Sequence, residues 1–330
     1  MSQLRLNPLN GRWVTIAVGR AARPGGFAPR RLPVQTSDDR PCPFCPGNEE
    51  ATAPALETYG RDGQWSVRVV PNLYPAFSGR GPFTVTELGS IFTEAPAVGI
   101  HEVLVLSPDH HAGWGALSDK QAGLVMAAIR DRLEDHARLS DIRYTQTIVN
   151  HGREAGASVE HPHGQLLGIP FVPDELAAEQ EQFVGFAAHH GTCLLCETIA
   201  VEEHEHHRIV AATDRLVVVC PYWSGVPYEM LVLPRRHEPH LAHSSPADLV
   251  AVGRALRDAL ADLDAAVGDV AYNLVFHTAP HHDRGLYHWH VHVLPHITSQ
   301  AGFEEGTGVM INIVAPEQAA PQLAAARRRG

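Results

Sequence analysis

The sequence predicts an α+β fold built from two similar halves, each carrying strands and flanking helices. Three observations lead there. A C-x-x-C pair, strands, a proline–histidine segment, a capped helix, a strand and a strand with alternating histidines occur twice, in the same order. Two segments behind a serine cap repeat apolar residues at helical spacing. Between them lie short runs with the two-residue alternation of strands.

Bulk properties bound the possibilities. At 330 residues and 35.9 kDa the chain can bury a sizeable core in one large unit or two medium ones. A hydrophobic content of 44% with 19% charged residues is ordinary for a globular protein and argues against disorder. The net charge of -11 argues against general nucleic-acid binding, which needs a basic footprint. It leaves room for a small anionic substrate held by local arginines. No apolar run reaches membrane-span length, and Met1-Ser2-Gln3-Leu4-Arg5 lacks a signal-peptide core, so no membrane partner and a cytoplasmic location are expected. Five cysteines in that setting, arranged as Cys42/Cys45, Cys193/Cys196 and a lone Cys220, favour metal ligation over disulfides. The 22 histidines point the same way.

In chain order, residues 4–18 read as a hairpin turning at Asn10-Gly11. A Gly/Pro/Arg-rich loop with Arg20, Arg23, Arg30 and Arg31 is either solvated linker or, at Arg20 and Arg23, a phosphate clamp. Cys42-Pro43-Phe44-Cys45 precedes an extended run Val67–Asn72, and Glu102–Leu106 alternates into a strand ending at Ser107-Pro108-Asp109-His110. Ser118-Asp119-Lys120-Gln121 is a capping box for a helix with Leu124, Val125, Ala128, Ile129 and Leu133 on one face. Tyr144–Asn150 is a strand, and a glycine-rich turn leads into Ser158-Val159-Glu160-His161-Pro162-His163-Gly164-Gln165. The second half, residues 190–330 after 1–189, repeats the order. Cys193/Cys196 precede strands Leu216–Cys220 and Glu229–Leu233. Then come His237, a Ser245-Pro246 cap before a helix with Leu249, Val252, Leu256, Leu260 and Leu263, a strand Tyr272–Phe276, and His288-Trp289-His290-Val291-His292. His204/His206/His207 and His281/His282 read as exposed loop residues.

The chemistry concentrates in the first alternating-histidine segment. On an extended chain His161, His163 and Gln165 share one face, and Gly164, with Gly156 and Ser158 just before, lets a ligand approach the backbone. An imidazole beside an amide suits nucleophilic attack on phosphorus, with the amide steadying phosphoryl oxygens. The alternative is two surface histidines on a turn. Each half also offers a Cys2His2 set of the kind that binds structural zinc: Cys42, Cys45, His110 and His161, then Cys193, Cys196, His237 and His288. In the second half His277, His290 and His292 with a carboxylate form a competing set.

With these motifs in hand, the chain resembles the galactose-1-phosphate uridylyltransferase family, the H-P-H-x-Q branch of the histidine-triad superfamily. The resemblance runs from Asn7-Pro8-Leu9-Asn10-Gly11-Arg12-Trp13 to near Val314, through C-x-x-C, S-P-D-H, N-x-G-x-x-x-G-x-S and H-P-H-G-Q. It implies two histidine-triad-like halves, each an antiparallel sheet with helices, assembled as a homodimer. It also implies a ping-pong exchange of UMP between UDP-glucose and galactose 1-phosphate. His163 would be the nucleophile and Gln165 the phosphoryl-binding amide. Gly156 and Ser158 would contact phosphates, with Arg20 and Arg23 on the phosphate side and Asn72 and Asn150 on the nucleotide. The first Cys2His2 set would hold zinc. Glu179, His277, His290 and His292 match a second metal site of some members, with iron an option there. Cys193 and Cys196, and Gly302–Gly308, resemble instead a sister group of adenylyltransferase or ADP-glucose phosphorylase-like proteins with a second zinc. The H-P-H-G-Q core points to uridylyl transfer.

Overall fold

Strands form where the apolar alternation predicts them, and helices form behind the two serine caps. The computed structural model describes residues 2–22, 41–283 and 285–327. The N-terminal hairpin is β1 (Gln3–Leu6) and β2 (Trp13–Ile16), with Gly11 at φ +71° in its turn. Then follow β3 (Glu57–Arg61), β4 (Gln64–Pro71), a small hairpin of β5 (Thr86–Leu88) and β6 (Phe92–Glu94), β7 (Ile100–Val105), helix α1 (Asp119–Ala137), β8 (Tyr144–His151) and β9 (His163–Ile169). Helices α2 (Asp174–His190) and α3 (Leu194–Glu205) lead to β10 (Ile209–Ala212), β11 (Leu216–Val219), β12 (Met230–Pro234), α4 (Pro246–Val267), β13 (Tyr272–His277) and β14 (His290–Pro295). The chain closes with α5 (Gly302–Thr307), β15 (Met310–Asn312) and α6 (Pro316–Arg327).

The two halves share one sheet. Ten strands run β10-β11-β12-β14-β13-β8-β9-β7-β4-β3, every neighbouring pair antiparallel. The join is β8 against β13, with Asn273 opposite Asn150 and Val275 opposite Ile148. Equivalent strands thus meet at a local pseudo-twofold, and His110, His161, His163 and Gln165 recur at one constant offset as His237, His288, His290 and His292. Sequence patterning foresaw the duplication; the continuous sheet needed the tertiary pairing.

One sheet face is closed by α1 and α4. Ser118 Oγ accepts from the Gln121 N–H at 3.2 Å and Ser245 Oγ from the Asp248 N–H at 3.2 Å. Val125, Ile129, Leu249 and Leu256 bury against Val67, Leu104, Leu166, Val218, Val232, Leu274 and Val293. The helices cross closely because Gly253 has no side chain; a Cβ there would stand 2.7 Å from the Ala122 carbonyl oxygen. The other face carries the histidines. Helices α2 and α3 cover its second half over Val217, Val219, Leu231 and Leu233, whereas α2 reaches the first half only near Tyr144 and Ile169. His281 departs from the expectation of an exposed loop: its Nε2 lies 2.8 Å from Thr145 Oγ1, which also meets buried His136. His282, His206 and His207 are exposed as expected, and His204, also exposed, lies in the last turn of α3.

Candidate active site and metal centres

His163 opens β9 in the middle of the first half-sheet, with Val105 opposite on β7; the β8 register, ending at Val149 opposite Gly164, carries Asn150 to its other side. His163, Gln165, His101 and Asn150 therefore share one face, floored by Val103 and Val105 and edged by Phe44, whose ring centroid is 5.3 Å from that of His163. The tautomer follows from the backbone. His163 Nδ1 lies 2.9 Å from the His161 carbonyl oxygen, which only accepts, so Nδ1 carries the proton and Nε2 keeps its lone pair. Burial holds the imidazole below its ordinary pKa, the His161 carbonyl offsetting part of this, so the ring is neutral near pH 7.

His161 itself stands before the strand, not on it. Its main chain serves His163 while its side chain turns toward the cysteines: Nδ1 is 3.8 Å from Cys42 Sγ and 3.6 Å from Cys45 Sγ, and His110 Nδ1 is 3.2 Å from Cys45 Sγ. A tetrahedral zinc with its usual bond lengths sets sulfur and nitrogen ligands roughly 3.6 Å apart, close to these separations. His161 Nε2 donates to the Ser107 carbonyl at 2.8 Å, which leaves Nδ1 unprotonated for a metal. Burial and then the neighbouring Cys42 push the Cys45 thiol up to about 11, a cost that a bound cation removes. The four residues fit a zinc-type ion.

The second half builds the same arrangement. Cys193 Sγ and Cys196 Sγ lie 3.7 and 3.6 Å from His288 Nδ1, and His237 Nδ1 is 3.7 Å from Cys196 Sγ. His288 Nε2 donates to the Pro234 carbonyl at 2.9 Å, as His161 does to Ser107. A hydrogen bond from Cys196 holds the Cys193 thiol down, and that bond in turn pushes Cys196 up. Cys193 is the N-cap of α3, a helix the spacing alone did not predict, and Cys196 lies in its first turn.

A third cluster joins Glu179, His277, His290 and His292, with ligand atoms within 4.8 Å of one another. His277 Nδ1 is 3.0 Å from both Glu179 carboxylate oxygens, and His290 Nε2 is 3.1 Å from His292 Nε2. Burial would raise the Glu179 carboxyl, but His277, His290 and His292 around it together outweigh this and hold it at about 2. Nitrogen and oxygen donors suit a harder divalent ion than the thiolate sets do. The sequence treated this set and the second Cys2His2 set as rivals; they share no residue and both are assembled. By the repeat, His290 and His292 stand where His163 and Gln165 stand, and His290 Nδ1 meets the His288 carbonyl at 3.0 Å just as His163 meets His161. The difference is the neighbours: Glu179 from α2 and Tyr287 stand at the second-half position.

Other sequence candidates are placed unevenly. Gly156, at φ +86°, ends the turn after β8, and Ser158 is exposed beyond it. Asn72 accepts the Tyr74 N–H through Oδ1 at 2.8 Å, with Nδ2 3.2 Å from His101 Nε2. Arg20 is exposed on the short turn Val18–Ala22, and Arg23 lies outside the described residues. Sequence reasoning missed His101, Asn273 and His296, which touch Gln165, Asn150 and Asn273. Alternation on β7 was the available signal for His101; Asn273 and His296 had none before β8 met β13. No single helix among the described residues is long and apolar enough to cross a membrane.

The family model described as "Galactose-1-phosphate uridyl transferase, N-terminal domain" matches residues 1–173, and its C-terminal-domain counterpart matches residues 179–305. An ADP-glucose phosphorylase of Arabidopsis thaliana is 30% identical over 96% of this chain and 91% of its own. A galactose-1-phosphate uridylyltransferase of Thermotoga maritima is 27% identical over 98% of each chain. A crystal structure of the Arabidopsis ADP-glucose phosphorylase with bound ADP-glucose superposes with a TM-score of 0.84 at 28% identity, covering 98% of this chain and 99% of that one.

Proposed function

The chain belongs to the galactose-1-phosphate uridyl transferase family, and from that premise we propose that it moves a nucleoside monophosphate from a nucleoside diphosphate glucose through a covalent histidine. One observation carries the reading: His163 is buried, neutral and held by the His161 carbonyl, with Nε2 unprotonated and Gln165 on the same face of β9. Nε2 attacks the α-phosphorus. The Nε2–P bond forms as the bridging P–O bond breaks, and glucose 1-phosphate leaves with that electron pair. The ring becomes cationic, and the His161 carbonyl takes the strengthened Nδ1–H bond. A phosphate oxygen of the acceptor then attacks the same phosphorus, Nε2 leaves, and the ring returns neutral. No general base is required. Gln165 and Asn150 donate to the phosphoryl oxygens, Gly156 and Ser158 line the approach, Asn72 serves the nucleotide, and Arg20 with Arg23 balances the leaving phosphate. A zinc ion at Cys42, Cys45, His110 and His161 would hold rigid the residue whose carbonyl orients the nucleophile. A second zinc at Cys193, Cys196, His237 and His288, and a further ion such as iron at Glu179, His277, His290 and His292, would brace the other half.

Two donors fit. The H-P-H-G-Q core supports UDP-glucose with galactose 1-phosphate as acceptor. The Arabidopsis relative's coverage, its superposition and the second Cys2His2 set support ADP-glucose, with phosphate or a sugar phosphate as acceptor. Incubation with each labelled donor and intact-mass analysis decides between them: a UMP adduct on His163, or an AMP adduct. Absence of any adduct with either donor sinks the covalent reading. The division into residues 1–189 and 190–330 and the homodimer are part of the same proposal, with light scattering the test of the dimer.

A further inference from the structure

Amide groups present either a carbonyl oxygen or an NH2, and beside an anionic phosphoryl group only the NH2 stabilises. Two amides face this site, and both orientations trace back to a backbone group. The Ala76 N–H lies 3.0 Å from His101 Nδ1, so that nitrogen accepts and the ring proton sits on Nε2. His101 Nε2 is 2.7 Å from Gln165 and can only donate, so Gln165 must offer Oε1 and turn its NH2 elsewhere. Asn72 Nδ2 comes within 3.2 Å of the same Nε2, but both carry protons, so no bond joins them and the Asn72 protons stay available. On the other side, the Ala155 carbonyl accepts from Asn273 Nδ2 at 2.9 Å. That nitrogen also donates to Asn150 Oδ1 at 2.8 Å, and His296 Nε2 donates to Asn273 Oδ1 at 2.6 Å. Asn150 therefore also has its oxygen taken. Its Nδ2 points along Gly156, 3.7 Å from where a Cβ of that residue would stand.

We propose that His101 and Asn273 are positioning residues: each occupies the oxygen of one amide and so presents the NH2 groups of Gln165 and Asn150 to the phosphates. The inference rests on the nucleotidyl-transfer reading only for the identity of the ligand. It also gives the second half a task in the first-half site, because Asn273, held by His296, reaches Asn150 across the β8–β13 join. Unoccupied amides would sample both faces, and the wrong one would set an oxygen lone pair against the phosphoryl oxygens.

A double-mutant cycle tests this. His101→Leu, Gln165→Ala and the pair are compared with the parent for the rate of His163 labelling by ADP-glucose and UDP-glucose, and for affinity toward ADP and UDP. His101→Leu is expected to lose about tenfold to a hundredfold in the parent and little more in the Gln165→Ala background, since it acts through that amide. His101→Gln, which puts an amide N–H near the place of Nε2, should recover most of the loss at unchanged melting temperature. Asn273→Leu should behave likewise against Asn150→Ala. Independent, additive losses, or equal losses in His101→Gln and His101→Leu, overturn the proposal. A parent that binds nucleotide but is never labelled overturns the covalent mechanism instead, and the affinity cycle still judges the amides.

Discussion

Replacing Gln165 with glutamate separates charge from shape. The side chain keeps its length, and one carboxylate oxygen still accepts the His101 Nε2–H that now holds Oε1 at 2.7 Å. The other oxygen then stands where the NH2 stood, facing the phosphoryl group. At about 4 Å and an effective dielectric constant of ~20, two unit charges repel by roughly 4 kcal/mol. Gln165 is half-buried, so solvent and partial protonation trim this, and the expected loss is about a hundredfold to a thousandfold, the range for losing one such donor. Both half-reactions should slow together, because the same amide serves attack by His163 and attack on the adduct. Rapid-quench measurement of nucleotidylation and of its reversal reads the two steps separately, and a melting curve checks the fold. If both chemical rates survive and only substrate affinity falls, Gln165 does not stabilise the transition state and the reasoning fails.

Further outcomes follow from the other clusters. His163→Gly should fold, keep its metal and form no adduct, with added imidazole partly restoring turnover in the space beside Phe44; adduct formation at the parental rate refutes the nucleophile. Cys193→Ser should lower zinc content by about one equivalent per chain and lower the melting temperature, while Glu179→Ala should lose a different ion and leave that zinc in place. Metal analysis in which the two variants lose the same ion would mean that the clusters are not independent. His281 is held down to about 4, first by burial and then by the charge of His136, while its unfolded value is near ~6.5. The unfolded chain therefore binds the extra proton between those values, so stability should fall as pH drops from about 6.5 to about 4, by roughly 3 kcal/mol at most. Urea titrations across that window should show a shallower slope for His281→Asn; an unchanged slope removes His281 from the account.

The sequence by itself determined the repeat, the serine-capped helices, most strands and the residue types of the site. These depend on local periodicity and spacing, which a linear chain displays: the order C-x-x-C to alternating histidines recurs whether or not the halves touch. It also carried the likeness of His163 and Gln165 to a nucleophile and its amide. Only the tertiary structure decided that the halves share one sheet, because the β8–β13 pairing joins segments far apart in sequence. That pairing brings Asn273 to Asn150, and the β7–β9 register brings His101 to Gln165. Only the fold set the His163 tautomer, through the His161 carbonyl two residues away. And only the fold separated two equivalent positions, bringing Glu179 on α2 and Tyr287 to His290 and His292 and Phe44 to His163, because such contacts are properties of space rather than of order along the chain.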